Sequence, residues 1–136
     1  MKVFRLMEYL HARRVPLLPQ ILSRYIRIVY SCDLPVGLNL NAGVILKHNG
    51  LGVVIHPKAI IGENTQIYQN VSIGGRNDRG TPVVGKNVFI GCGACVLGGI
   101  KIGNNAWIGA NAVVLTDVPE NAVVVGIPGK VIKMRE

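Results

Sequence analysis

The chain has 136 residues, 49% of them apolar but only 5% aromatic, so one domain with an aliphatic core is expected. Its 17 glycines argue against a helical bundle, because glycine weakens helix interiors. A formal net charge of +8 favours an anionic partner, yet the middle of the chain carries little charge, which leaves no continuous stripe for a nucleic acid.

Residues 1–31 read as helical. Val3, Phe4, Met7 and Leu10 have helical spacing, as do Leu18, Ile21, Leu22, Tyr25, Ile26 and Val29, and Pro16 and Pro19 separate the two stretches. We expect this segment to cap the open end of whatever follows. Lys2, Arg5, Arg13, Arg14, Arg24 and Arg27 lie largely off the apolar stripes, so a second reading is peripheral docking to an anionic membrane or an acidic partner. No apolar run approaches the roughly 18 residues of a membrane span. Arg13, Arg14 and Pro16 interrupt any signal-peptide core. Three cysteines, Cys32, Cys92 and Cys95, do not make a disulfide framework, and a reducing, cytoplasmic setting is expected.

From residue 32 to 136 a different period takes over. Ile61, Ile67 and Ile73, then Val84, Ile90, Val96, Ile102, Ile108 and Val114, recur every six residues, and Gly follows many of them. All nine are β-branched, the class that packs well on pleated surfaces. The register runs back through Ile55, Leu46, Leu40 and Leu34. A period of six is neither helical nor simple alternation. It describes a short strand and a corner, three to a coil, with the repeated aliphatic position stacked inside. The fold class is therefore all-β, a parallel β-helix with a short N-terminal helical segment. Two interruptions, HNGLGVV and GRNDRGTPV, should protrude, and sites tend to lie on such loops.

The first interruption holds His48. Asp33 precedes the first inward residue of the coil that ends at Leu46, so both sit near the corner joining its third face to its first. Two readings stay open. A carboxylate beside an imidazole can orient it as a general base; or Asp33 caps a turn and His48 is an exposed loop residue. His11 and His56 are expected to have no chemical role, and Trp107 to point outward. Cys92 and Cys95 match C-x-x-C but lack the βαβ context of a redox motif, and no histidine spacing suggests a metal.

The segments IGENTQIYQNVSIGG, VGKNVFIGCGACVLGGIKIGNNAWIGANAVVLTDVP and AVVVGIPGKVI resemble the hexapeptide-repeat acyltransferases, over residues 32–133. The stretch DLPVGLNLNAGVILKHNGLGVVI resembles the serine acetyltransferase branch and related polysaccharide O-acetyltransferases. The resemblance implies a left-handed β-helix and an acetyl-CoA-dependent O-acetyltransferase without a metal. It makes His48 the catalytic base and Asp33 its orienting partner. It implies a homotrimer that binds acetyl-CoA between subunits, against corners matching Gly74, Gly75, Cys92 and Ala110, with Lys130 near the cofactor phosphates. Backbone N–H groups near Gly74 and Gly75 are candidates for the oxyanion.

Some features depart from the serine enzymes. Lys47 stands where they place an Asp before the histidine, and the loop ends Gly80-Thr81-Pro82 where theirs ends Arg-His-Pro. They also carry a long helical N-terminal region, against about thirty residues here. The departures point to a sugar or glycan hydroxyl as acceptor, with serine as the alternative and a non-catalytic solenoid as a third reading.

Overall fold

The computed structural model describes residues 1–136. Helices α1 (Lys2–Ala12) and α2 (Leu18–Tyr30) precede a solenoid of two- to four-residue strands, and the chain ends in an antiparallel strand pair, Ala122–Val125 with Lys130–Met134. The solenoid is a left-handed parallel β-helix with three faces. Face one stacks Val54–Ile55, Ser72–Gly74, Cys95–Leu97 and Val113–Val114 in parallel, with Asp33 bridging Val54 below them. Face two stacks Asn39–Leu40, Ile60–Ile61, Val83–Val84 and Lys101–Ile102. Face three stacks Ile45–Leu46, Gln66–Ile67, Phe89–Ile90, Trp107–Ile108 and Ala122–Val125.

The hexapeptide register is the physical core. Ile73 pairs with Ile55 and Val96, Val84 with Ile61 and Ile102, and Ile90 with Ile67 and Ile108. All of these are buried, so each coil covers the apolar floor of the next. Truncating one of them, such as Ile90→Ala, should destabilise the fold by about 2–5 kcal/mol. The fifth position fills the corner from inside, with Val88, Ala94, Ala106 and Ala112 each at or below 1% exposed. Glycine holds the second position where coils approach closely: a Cβ on Gly91 would stand 2.7 Å from the Ala110 nitrogen. Asparagines take the left-handed corners; Asn87 Nδ2 donates to Asn105 Oδ1 at 3.3 Å, and Asn105 Nδ2 to Asn121 Oδ1 at 3.2 Å.

The helices close the first coil. Phe4, Met7 and Ile26 are buried in one cluster with Cys32, Leu34, Leu38 and Leu46. Polar contacts fix the seat: Arg5 Nη2 donates to the Val44 carbonyl at 3.3 Å, and the Gly37 N–H donates to Glu8 Oε1 at 3.0 Å. Burial pushes the Glu8 carboxyl above its ordinary pKa, against the lowering pull of that N–H and of His11 and Arg5. No helix is long and apolar enough to cross a membrane.

Candidate active site

Face one has two edges, and they differ in chemistry. The first edge, entered from face three, is built from residues 47–53, 68–71, 91–94 and 109–112, stacked in that order. Asn70 N–H donates to the Leu51 carbonyl, Gly93 N–H to Gln69, and Asn111 N–H to Cys92, at 2.8–3.0 Å. The terminal hairpin continues it: Val113 N–H donates to the Gly126 carbonyl at 3.0 Å, and Gly129 N–H to Val113 at 2.7 Å.

His48 stands at the foot of this edge, exposed, in the tight turn Lys47–Gly50. Its backbone is left-handed (φ 51°, ψ 37°), as is that of Asn49. Such geometry is uncommon for residues other than glycine and costs of order 1–3 kcal/mol, so the surroundings must impose it. They do: Leu51 N–H donates to the His48 carbonyl at 3.2 Å, Gly52 N–H to Ser31 at 3.0 Å, and Val53 N–H to Gly50 at 2.8 Å. Gly50 is buried against Leu46, Cys32 and Met1. The imidazole lies beside Tyr68, with ring centres 6.4 Å apart. Tyr68 begins an outward ladder on face three through Phe89 (5.0 Å) to Trp107 (5.3 Å), with Lys47 Nζ 5.8 Å from the Tyr68 ring and the Arg135 guanidinium 4.2 Å from the Trp107 ring.

Asp33 reaches the same corner. Its N–H donates to the Val53 carbonyl at 2.8 Å, and its own carbonyl accepts from Ile55 at 3.1 Å. Its carboxylate pairs with Arg27 at 3.5 Å and makes no hydrogen bond to His48. The two residues of the expected dyad thus stand at one corner, where the carboxylate pairs with Arg27 of α2 and not with His48. Cys92 and Ala110 lie above His48 on this edge, Cys92 partly buried and Ala110 exposed, and Lys130 stands exposed at the hairpin.

Gly74 and Gly75 are elsewhere. They follow Ile73 at the far end of face one, on the second edge, where the Gly98 N–H donates to the Gly74 carbonyl at 2.9 Å. A strand of about three residues at roughly 3.3 Å each puts that edge about 10 Å from the first. In one copy, the backbone of Gly74 and Gly75 and the imidazole of His48 cannot serve the same reacting carbonyl.

The second edge carries an open cleft of about 460 Å³ under the 75–81 loop, with no hydrophobic residue in its lining and His56, Lys58, Arg76, Asp78 and Thr81 among those that form it. His56 Nδ1 accepts the Lys58 N–H at 3.1 Å, and Thr81 Oγ1 donates to the Lys58 carbonyl at 3.1 Å. His56, expected to be an inert corner, is therefore a corner residue that also lines the largest cleft. Tyr68, beside His48, is a second residue with no role expected from the sequence. His56 and Tyr68 both sit at the second repeat position, where the other coils mostly hold Gly. No group of three His, Cys, Asp or Glu side chains converges as a metal site would need.

These features define a hexapeptide-repeat left-handed β-helix with an exposed histidine at the foot of an edge of small residues. The profile for bacterial transferase hexapeptide repeats (six repeats) matches residues 81–118. Within that class the chain is similar to serine acetyltransferases. It is 43% identical over 131 residues to the serine acetyltransferase of Synechococcus elongatus, covering 94% of this chain and 53% of the relative. It is 44% identical over 131 residues to that of Mycobacterium tuberculosis, covering 94% and 57%. Among solved structures, it superposes on a Brucella abortus serine acetyltransferase in complex with coenzyme A with a TM-score of 0.90, at 28% identity, covering 99% of this chain and 55% of that one. A Neisseria gonorrhoeae serine acetyltransferase in complex with serine gives 0.84 at 35% identity, covering 94% and 53%. The chain spans a little over half the length of the curated relatives it matches.

Proposed function

We propose that this chain is an acetyl-CoA-dependent O-acetyltransferase with His48 as general base and serine as its acceptor. The observation that carries the reading is the first edge: an exposed histidine in an enforced left-handed turn, below the small corners Cys92 and Ala110, with Lys130 at the top. A thioester arm laid along those corners would bring its carbonyl towards His48 and its phosphates towards Lys130. His48 takes the proton of the acceptor hydroxyl, the oxygen attacks the thioester carbonyl, and the thiol leaves with a proton. Serine is supported by relatives at 43 and 44% identity that are serine acetyltransferases, and this overrides the sugar acceptor as first reading. His56 adds weight, because it restores an imidazole beside Thr81, where the loop lacks the histidine of the resembling enzymes.

Two edges about 10 Å apart cannot share one reaction unless a second copy brings its loop edge against the His48 edge. A homotrimer closing such grooves by rotation fits this need. The sugar reading survives on one observation: Lys47, beside His48, faces Tyr68 at the start of an aromatic ladder that is half-buried at Tyr68 and Phe89 and exposed at Trp107.

The test follows CoA release from acetyl-CoA with serine and, separately, with a panel of saccharides. Turnover with serine is the expected result. Turnover with saccharides alone would move the assignment to the second reading, and acetyl-CoA binding without either turnover would leave a non-catalytic scaffold.

A further inference from the structure

Helix α2 carries more apolar surface than the solenoid uses. One side buries Pro19 and Ile26, with Leu22 and Tyr30 partly covered. On the other side Leu18, Ile21, Tyr25, Ile28 and Val29 are 42, 58, 47, 81 and 52% exposed. At roughly 100° per residue these five side chains share an arc of about 100°, the width of a full apolar stripe. Leu17, just before the helix, adds another side chain 73% exposed. Covering the first coil uses the buried side alone, and the exposed stripe takes no part in it.

The charge around the stripe is one-sided. Residues 1–31 hold six Lys and Arg against one acid, Glu8, whose carboxylate is engaged by the Gly37 N–H. Helix α2 has no acidic residue. Arg24 borders the stripe on the helix itself, and Arg13 and Arg14 stand in the turn before it. Arg27 is turned to Asp33.

We propose that this face of α2 lies flat on an anionic lipid surface. Leu18, Ile21, Tyr25, Ile28 and Val29 would enter the boundary between headgroups and acyl chains, while Arg13, Arg14 and Arg24 meet lipid phosphates. Charge complementarity favours this occupant over a symmetric pairing of two such faces. Two such faces meeting would bury the bordering arginines near one another, with no acid in either stripe to balance them. The proposal stands apart from the acetyl-transfer reading, since no residue of either edge takes part.

The experiment is co-sedimentation of the whole chain with phosphatidylcholine vesicles, with and without phosphatidylglycerol. Binding is expected only with the anionic lipid and should weaken as salt rises. Ile21→Glu combined with Ile28→Glu should reduce the bound fraction at least about tenfold, since each apolar side chain withdrawn from the interface is worth that much or more. Both positions are more than half exposed, so the melting temperature should hold. Arg24→Gln should weaken binding less and flatten its salt dependence. Absence of wild-type binding to the anionic vesicles would overturn the proposal, as would binding that the double variant leaves unchanged. A double variant that instead dissolves an assembly seen by sedimentation velocity, with no lipid binding in either form, would assign the face to a second copy and also overturn it.

Discussion

The two edges of face one are made by the same repeat, yet they carry opposite kinds of surface. The His48 edge is narrow: one imidazole in a tight turn, then corners kept small by Cys92, Gly93 and Ala110. The loop edge is broad and polar: His56, Lys58 and Arg76 around an open cleft, held by Thr81 Oγ1 on the Lys58 carbonyl. A strict solenoid gives every coil the same corner, so the difference comes from the two insertions. Three extra residues after Leu46 make the turn at His48, and five after Ile73 make the loop. Regular coils supply the ruler, and irregular corners supply the chemistry.

The largest effect is expected at the narrow edge. His48→Ala should reduce acetyl transfer by about 10²–10⁴-fold, the usual worth of a positioned general base. Acetyl-CoA affinity, measured by calorimetry, should barely change, because the arm rests on corners above the imidazole. A variant that keeps near-normal rates would move the base to another residue, and His56 on the broad edge is the next candidate.

The broad edge should respond in a different parameter. Arg76→Ala and His56→Ala are each expected to raise the acceptor KM by roughly tenfold, the scale of one charge-assisted hydrogen bond, with the KM for acetyl-CoA unchanged. Steady-state kinetics with each substrate varied in turn checks this. Equal shifts in both constants would mean that the edges do not divide the substrates as argued.

Most of the fold was legible, and the split of the expected cofactor corners between two edges has a clear origin. The inward files could be read because β-branched residues recur at one spacing and each must be buried by its neighbour. Positions 74, 92 and 110 are also spaced by eighteen, which suggests one shared edge. The five extra residues between Ile73 and Val84 break that count, so Ile73 lies on face one while Ile90 lies on face three. Gly74 therefore parts company with Cys92 and Ala110. The pairing of Asp33 with Arg27 was not legible, since nothing in the spacing tells which cation α2 will bring down to the corner. His56 and Tyr68 left a signal at the second position, where the regular coils mostly hold glycine and a side chain needs an explanation.

Asp33 lies between the two roles and should show a smaller effect. Its ion pair with Arg27 is exposed, 69% and 43% for the two side chains, and such pairs contribute little to stability. Asp33→Asn should therefore leave the melting temperature nearly unchanged and lower the transfer rate by no more than about tenfold. A loss as large as that of His48→Ala would mean that the carboxylate leaves Arg27 and joins the imidazole during turnover.

The smallest effect needs no substitution, because the three cysteines stand beneath, on and beside the narrow edge. Cys32 is buried beneath Gly50, 1% exposed, with its thiol on the Ile26 carbonyl at 4.0 Å. Burial, with the Asp33 carboxylate adding to it, pushes that thiol up to about 11. At pH 7 only about one molecule in ten thousand then carries the reactive thiolate. The raised value also means that the folded state favours the neutral thiol. The stability this lends is full below the ordinary cysteine range and is lost as pH rises towards 11. Cys92 lies on the edge itself and Cys95 faces outward on face one, both partly exposed. Maleimide labelling at neutral pH, read by mass spectrometry, should modify Cys92 and Cys95 and spare Cys32 until the protein is unfolded. Saturating acetyl-CoA should then slow labelling of Cys92 several-fold more than that of Cys95, because only Cys92 is covered by an arm lying along the corners. Equal protection of both would place the arm across the face instead of along its edge, and protection of neither would remove the narrow edge from cofactor binding.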